Sequence, residues 1–272
     1  MREKDFRLDF AIIGVQKAST TALAQYLNQH PDLCLPASKE THYFRRPIRN
    51  GVPLKRDISH LTRHFVHCMP GQKCGEATPV YAYWPKSLDL LHEHNPALKC
   101  VLSIRHPVRR AYSAWCMEVR RGRESLSFSE AIRSGRERVR NAPMKAHTTF
   151  SYVERGYYYE QAVRLLRIFP RQQVFVLRSD MVAPTHPAMK ELLAFLEVRP
   201  FQFAPILSNI NPGSFDPVPG LQEDFEYLQA VFADDLKKFQ ELGLVDISDW
   251  LTGPPSIQSL TVDFNGSEFA QH

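Results

Sequence analysis

Three strand-length apolar runs, each set beside a segment with helical spacing, constrain the fold of this chain more than any other feature. The first, Phe10–Val15, precedes Thr20–His30, where Ala22, Leu23, Tyr26 and Leu27 share one helical face. The second is Lys99–Arg105. Pro107 opens the helix behind it, to about Arg121, because a first helical turn has no use for the missing N–H. The third, Gln173–Arg178, follows a helix over Tyr157–Phe169 with Ala162, Leu165, Leu166 and Phe169 inward, and precedes another from Pro187 to Leu196. Apolar strands alternating with helices at this spacing predict the α/β class: a mostly parallel central sheet flanked by helices on both faces. Short extended pieces are expected at Leu33–Leu35 and Thr41–Phe44, an irregular proline-bearing loop at Arg199–Gly220, and a last helix from Leu221 to Leu242. No linker divides the chain, so one domain over residues 1–272 is expected, with 252–272 as a flexible tail.

Several classes of protein are disfavoured. No eighteen-residue apolar run suggests a membrane span, and no apolar region follows the charged stretch Met1–Arg7 as a signal peptide would require. The expected compartment is therefore cytoplasmic. The five cysteines, Cys34, Cys68, Cys74, Cys100 and Cys116, are scattered, with no CxxC pair. Neither a zinc site nor a disulfide framework is expected, and reduced cysteines would pack as small hydrophobes. The formal charge is +5, but Lys99–Arg140 holds eleven Lys/Arg against four Glu, a local net of +7. Such a stretch suits a polyanionic ligand, and equally a solvated helix face.

Two segments carry chemistry. Gly14-Val15-Gln16-Lys17-Ala18-Ser19-Thr20-Thr21 joins the first strand to the first helix. A strand-to-helix loop presents backbone N–H groups and the positive end of a helix dipole, which suit a phosphate or sulfate. Lys17 adds a charge, and Ser19, Thr20 and Thr21 add hydroxyls. It is not a Walker A loop, since the second glycine and the Gly-Lys-Ser/Thr ending are absent. A plain helix start with a threonine N-cap describes the same residues. The second segment is Arg105-His106-Pro107-Val108-Arg109-Arg110-Ala111-Tyr112-Ser113. Arg105 sits at the carboxyl end of a core strand, where open α/β sheets bind ligands, and Ser113 lies two helical turns on. A guanidinium with a hydroxyl suits a phosphate monoester; an arginine capping a helix or pairing with a carboxylate is the plainer alternative.

Together these segments resemble the sulfotransferases that use 3'-phosphoadenosine 5'-phosphosulfate (PAPS). The first resembles the family's 5'-phosphosulfate loop, G-x-x-K-(G/S/A)-(G/S)-T, a P-loop-like element. The second is similar to the 3'-phosphate motif R-x-P-x-x-R-A-x-S, through Arg105, Pro107, Arg110, Ala111 and Ser113. Weaker likeness runs through Gly75–Tyr81, Arg155–Tyr157, Val174–Asp180 and Ile247–Trp250. Ser38-Lys39-Glu40-Thr41-His42-Tyr43-Phe44 resembles the K-E-x-H-F-F segment of the heparan-sulfate branch, whose glutamate is the general base. The chain departs from that branch at Ala77, where a lysine is common.

The resemblance implies PAPS as cosubstrate, with no metal needed, bound through Lys17, Ala18, Ser19, Thr20 and Thr21 at its phosphosulfate and through Arg105 and Ser113 at its 3'-phosphate. Glu40 would take the acceptor's proton and Lys17 would neutralise charge on the bridging oxygen. His42, on the same side as Glu40 if the segment is extended, would orient it or serve as base. A surface Glu40 merely paired with Lys39 is the bland alternative. The acceptor is expected to be a small natural-product alcohol or amine, reached by loops at Arg45–Asp57, Arg120–Phe150 and Asn209–Pro219; a saccharide is the second expectation. Neither a nucleic-acid nor a membrane partner is expected. From other classes, a nucleotide kinase or NTPase would require a magnesium-binding acid, and a non-catalytic polyanion-binding protein would use the +7 stretch.

Overall fold

Aliphatic and aromatic residues fill the first strand, and every one of them is buried, as a strand covered on both faces requires. In this computed structural model, residues 6–45, 48–49, 52–53, 57–142, 147–206 and 220–256 are described. In chain order the elements are β1 (Phe10–Gly14), α1 (Thr20–Leu27), β2 (Leu33–Cys34), β3 (Ile48–Arg49), β4 (Val52–Pro53), α2 (Ser59–Thr62), β5 (Lys73–Ala77), α3 (Ser87–His94), β6 (Lys99–Ile104), α4 (Pro107–Arg120), α5 (Phe128–Ile132), α6 (Glu137–Arg140), α7 (Tyr158–Ile168), β7 (Val174–Arg178), α8 (Pro187–Phe195) and α9 (Leu221–Glu241). Of the described residues, 6–104 with 161–206 make one compact unit, and 105–160 with 220–256 make another.

The first unit holds a five-stranded sheet in the order β2-β5-β1-β6-β7, with every pair parallel. β1 is central: Phe10 lies opposite Gly75 on one side and Lys99 on the other. Gly75 is required there, because a Cβ would fall 2.1 Å from the Phe10 ring. Leu23, Ala24 and Leu27 of α1 and Met189, Leu192 and Leu193 of α8 form a core with Phe10, Ile12, Val101 and Leu177 of the strands. This is the predicted sheet. Since all five strands run the same way, the segments after β1, β2 and β5 emerge at one edge, where ligands of such sheets bind.

Two expectations are corrected. Thr41–Phe44 is not extended: the segment turns, with Lys39 at φ 59° and His42 at φ 50°. Cys34 and Cys68 are joined in a disulfide, their Cα atoms 5.8 Å apart across a sequence separation of 34. The end of β2 and the turn after Phe65 bring together two cysteines with no motif in common. Disulfides persist in oxidising surroundings, so the pair sits poorly with a cytoplasmic setting. Cys74, Cys100 and Cys116 are free and buried, as small hydrophobes would be.

The second unit packs α4, α5 and α9 around Tyr112, Trp115, Phe128 and Phe225, whose rings meet at centroid distances of 5.1 to 6.5 Å. Asp235 of α9 accepts the amides of Tyr158 and Tyr159, at 2.7 and 3.2 Å, at the start of α7. The predicted helices at Pro107, Tyr157, Pro187 and Leu221 are all present. The loop at 209–219 and the tail from 257 lie outside the described residues.

Candidate active site

The loop after β1 is held from beneath. Buried Ser103 of β6 donates its hydroxyl to the Ala18 carbonyl at 2.7 Å and accepts the Val15 amide on its own carbonyl at 2.6 Å. Nothing in the sequence singles Ser103 out, because its role depends on strand pairing. Lys17 and Ser19 take positive φ, 73° and 55°. Ser19 is the N-cap of α1, yet its side chain makes no cap, and no acid occupies the first turn. A threonine-capped helix start is therefore not what forms. The first amides of α1 have no acceptor within the helix and point from its positive end. That is the donor set an anionic phosphosulfate needs. Ala18 and Thr20 are buried, Lys17 and Thr21 half-buried, and Ser19 exposed.

A second turn, after β2, meets this loop. Lys39 Nζ donates to Thr21 Oγ1 and to Glu40 Oε1, both at 2.9 Å. The other carboxylate oxygen of Glu40 lies 3.3 Å from His42 Nε2. Glu40 keeps 31% of its side chain exposed, so it is held but open to a ligand. The Lys39–Glu40 pair foreseen as the bland alternative does exist, but the same ammonium also reaches Thr21 at the start of α1. Lys39 thus joins the two segments. An ordinary lysine beside a glutamate carries no signal of this in sequence. His42 reaches Glu40 because the chain bends, not because it is extended.

Arg105 and Ser113 belong to the second unit. Arg105 precedes α4, and its carbonyl accepts the Tyr158 hydroxyl at 2.6 Å. Ser113 is buried within α4. Arg110, the other arginine of that motif, is fully buried and donates to the Tyr152 carbonyl. Its place in the motif is that of a strut.

The basic stretch behaves differently from either expectation. At least seven of its eleven cations pair with carboxylates: Lys99 with Glu197, Arg121 and Arg123 with Glu118, Arg133 with Asp224, Arg136 with Glu154, Arg138 with Glu124, and Arg140 with Glu137. Arg138 grips Glu124 with two nitrogens at 3.0 and 2.7 Å, and the Tyr152 hydroxyl adds a third donor at 3.0 Å. Burial works against the Glu124 charge, but these donors and the Leu126 amide hold its carboxyl below the usual range. Among the described residues, Cys34, His67 and Cys68 have metal-like spacing, but the two sulfurs are bonded to each other.

The crystal structure of a sulfotransferase from Alicyclobacillus acidocaldarius superposes on 90% of this chain and 99% of its own, with a TM-score of 0.75 and 30% identity. The chain belongs to the sulfotransferase family. Membership implies PAPS as the sulfate donor. The sulfotransferase domain of the Synechococcus PCC 7002 olefin synthase shares the fold, with a TM-score of 0.50 at 13% identity over 85% of this chain and 98% of its own. Human heparan sulfate glucosamine 3-O-sulfotransferase 6 is 31% identical over 160 residues, which are 58% of this chain and 43% of that protein. This sulfotransferase spans about half the length of the curated relatives it matches. No family model matches it. No helix among its described residues is long and apolar enough to cross a membrane.

Proposed function

We propose that this sulfotransferase moves a sulfuryl group from PAPS to a hydroxyl or nitrogen of a small-molecule acceptor, with Glu40 as general base. The observation that carries the reading is the hydrogen-bonded chain Thr21–Lys39–Glu40–His42, which ties an anion-receptive helix start to a half-exposed carboxylate. PAPS, when bound, supplies the sulfuryl group and a phosphate leaving group for an in-line displacement at sulfur. Lys17, the Ala18 amide and Ser19 to Thr21 would hold the phosphosulfate; Arg105 and Ser113 would hold the 3'-phosphate. Glu40 removes the proton from the attacking atom, and His42 orients the carboxylate. Lys17 offsets charge at the bridging oxygen, as preorganised cations do in phosphoryl transfer. The Ala77 amide donates to the Lys39 carbonyl at 3.3 Å, which ties this turn to the end of β5.

A small acceptor is favoured because most cations of the basic stretch already have carboxylate partners. The second reading, a saccharide acceptor, is favoured by the heparan sulfate enzymes among the relatives. Transfer of labelled sulfate from PAPS to a panel of alcohols, amines and desulfated heparan oligosaccharides tests both. Label on small alcohols or amines supports the first reading and label on oligosaccharides alone replaces it. A panel without any transfer, run with protein that binds the nucleotide, defeats both.

A further inference from the structure

Glu76, near the end of β5, is fully buried, and no cation among the described residues pairs with it. Its Oε2 gathers three neutral donors: the Thr41 amide at 3.2 Å, the Thr41 hydroxyl at 2.5 Å and the Thr78 hydroxyl at 3.0 Å. Thr41 stands between Glu40 and His42. Two further bonds dock the same turn on the end of β5: Ala77 N to the Lys39 carbonyl at 3.3 Å, and His42 N to Thr78 Oγ1 at 3.4 Å. The turn needs such docking. Lys39 and His42 are both non-glycine residues at positive φ. Conformations of that kind cost about 1–3 kcal/mol each and persist only where the surroundings over-determine them. Burying a carboxyl is itself costly, and an apolar side chain would fill the space without that cost. What the carboxyl adds is an acceptor able to collect three donors on one atom.

We infer that Glu76 is the positioning residue of the catalytic turn: by holding Thr41 it aims the Glu40 carboxylate, without touching donor or acceptor. Burial pushes the Glu76 carboxyl up, against the hydrogen bonds from Thr41, Tyr81 and Thr78, so its side chain is held towards the neutral acid. The inference rests on the reading of Glu40 as base, and its test separates the two.

The test compares Glu76→Gln, Glu76→Ala, Thr41→Val and Glu40→Gln by kcat at saturating substrates, acceptor KM and affinity for 3'-phosphoadenosine 5'-phosphate (PAP). Glu76→Gln keeps an oxygen acceptor and is expected to stay within about threefold of the native kcat. Glu76→Ala frees the turn and lowers kcat about 10- to 100-fold, the scale of a misplaced catalytic group, with KM and PAP affinity within about twofold. Thr41→Val moves kcat the same way, by less. A native kcat in Glu76→Ala overturns the inference, as does a loss in which PAP affinity falls in step. If Glu76→Ala does not fold, Thr41→Val decides: slow turnover with native PAP affinity supports the inference, and native turnover overturns it. A fully active Glu40→Gln removes the base reading and this inference with it. An inactive Glu40→Gln beside a fully active Glu76→Ala removes this inference alone.

Discussion

Two clusters of charge among the described residues are built in opposite ways. In the second unit, Glu124 is completely buried at its side chain and locked by both nitrogens of Arg138. Asp224 and Glu118, nearly as buried, take Arg133 and Arg123. In the first unit, Lys39 divides itself between a threonine hydroxyl and a half-exposed glutamate, and the glutamate keeps room for a ligand. Charge density along a chain is therefore a poor guide to charge on offer. The dense run is mostly spent on holding its own unit together, whereas the Lys39–Glu40 pair leaves its carboxylate partly exposed.

The comparison breaks first at Glu40. Glu40→Gln is expected to lower kcat about 10²–10⁴-fold, as loss of a general base does, with PAP affinity within about twofold by calorimetry. Next, Arg138→Ala strands the buried Glu124 charge and costs about 3–5 kcal/mol in urea unfolding. A loss under 1 kcal/mol would show that the second cluster is not structural.

A smaller effect is expected at Asp235. Burial pushes its carboxyl up to about 6, while the Tyr159 and Tyr158 amides pull it down and Glu160 adds to the rise. The folded chain then holds this proton more tightly than the unfolded chain does. The stability it contributes is fully present below about pH 4 and is lost as pH rises through about 6. Asp235→Asn removes that dependence. Across pH 4 to 7, native unfolding free energy should fall relative to the variant by about 2 kcal/mol. A constant difference would contradict the assignment. The smallest effect is at the exposed Arg140–Glu137 pair, 3.6 Å apart, where Arg140→Ala should stay within about 0.5 kcal/mol.

How much of this was legible depended on whether a residue's role is local. β1, β6 and β7 announce themselves because valine, isoleucine and leucine crowd a buried strand. β5, Lys-Cys-Gly-Glu-Ala, does not: its glycine and charged ends look like loop, and only the ring of Phe10 across Gly75 explains them. The strand–loop–helix around Lys17 was legible from the apolar run to Gly14 and the helix behind it. Ser103, Lys39 and Glu76 were not, because each acts through a partner far away in sequence. The turn at Thr41–Phe44 was misread as extended because its strain is stabilised by tertiary bonds to β5 rather than by glycine. The disulfide was missed for the same reason, since neither cysteine has a local signature.

The most direct test of the whole account is the unfolding midpoint of the native protein titrated with PAP, ATP and an oligonucleotide, alongside Lys17→Ala and Arg105→Ala. PAP at a hundredfold excess over its Kd should stabilise the native chain by about 2.7 kcal/mol, ATP and oligonucleotide should do nothing, and each variant should need more PAP for the same shift. A native chain indifferent to PAP, or stabilised equally by ATP, would contradict the claim that this loop and this arginine grip a sulfated nucleotide.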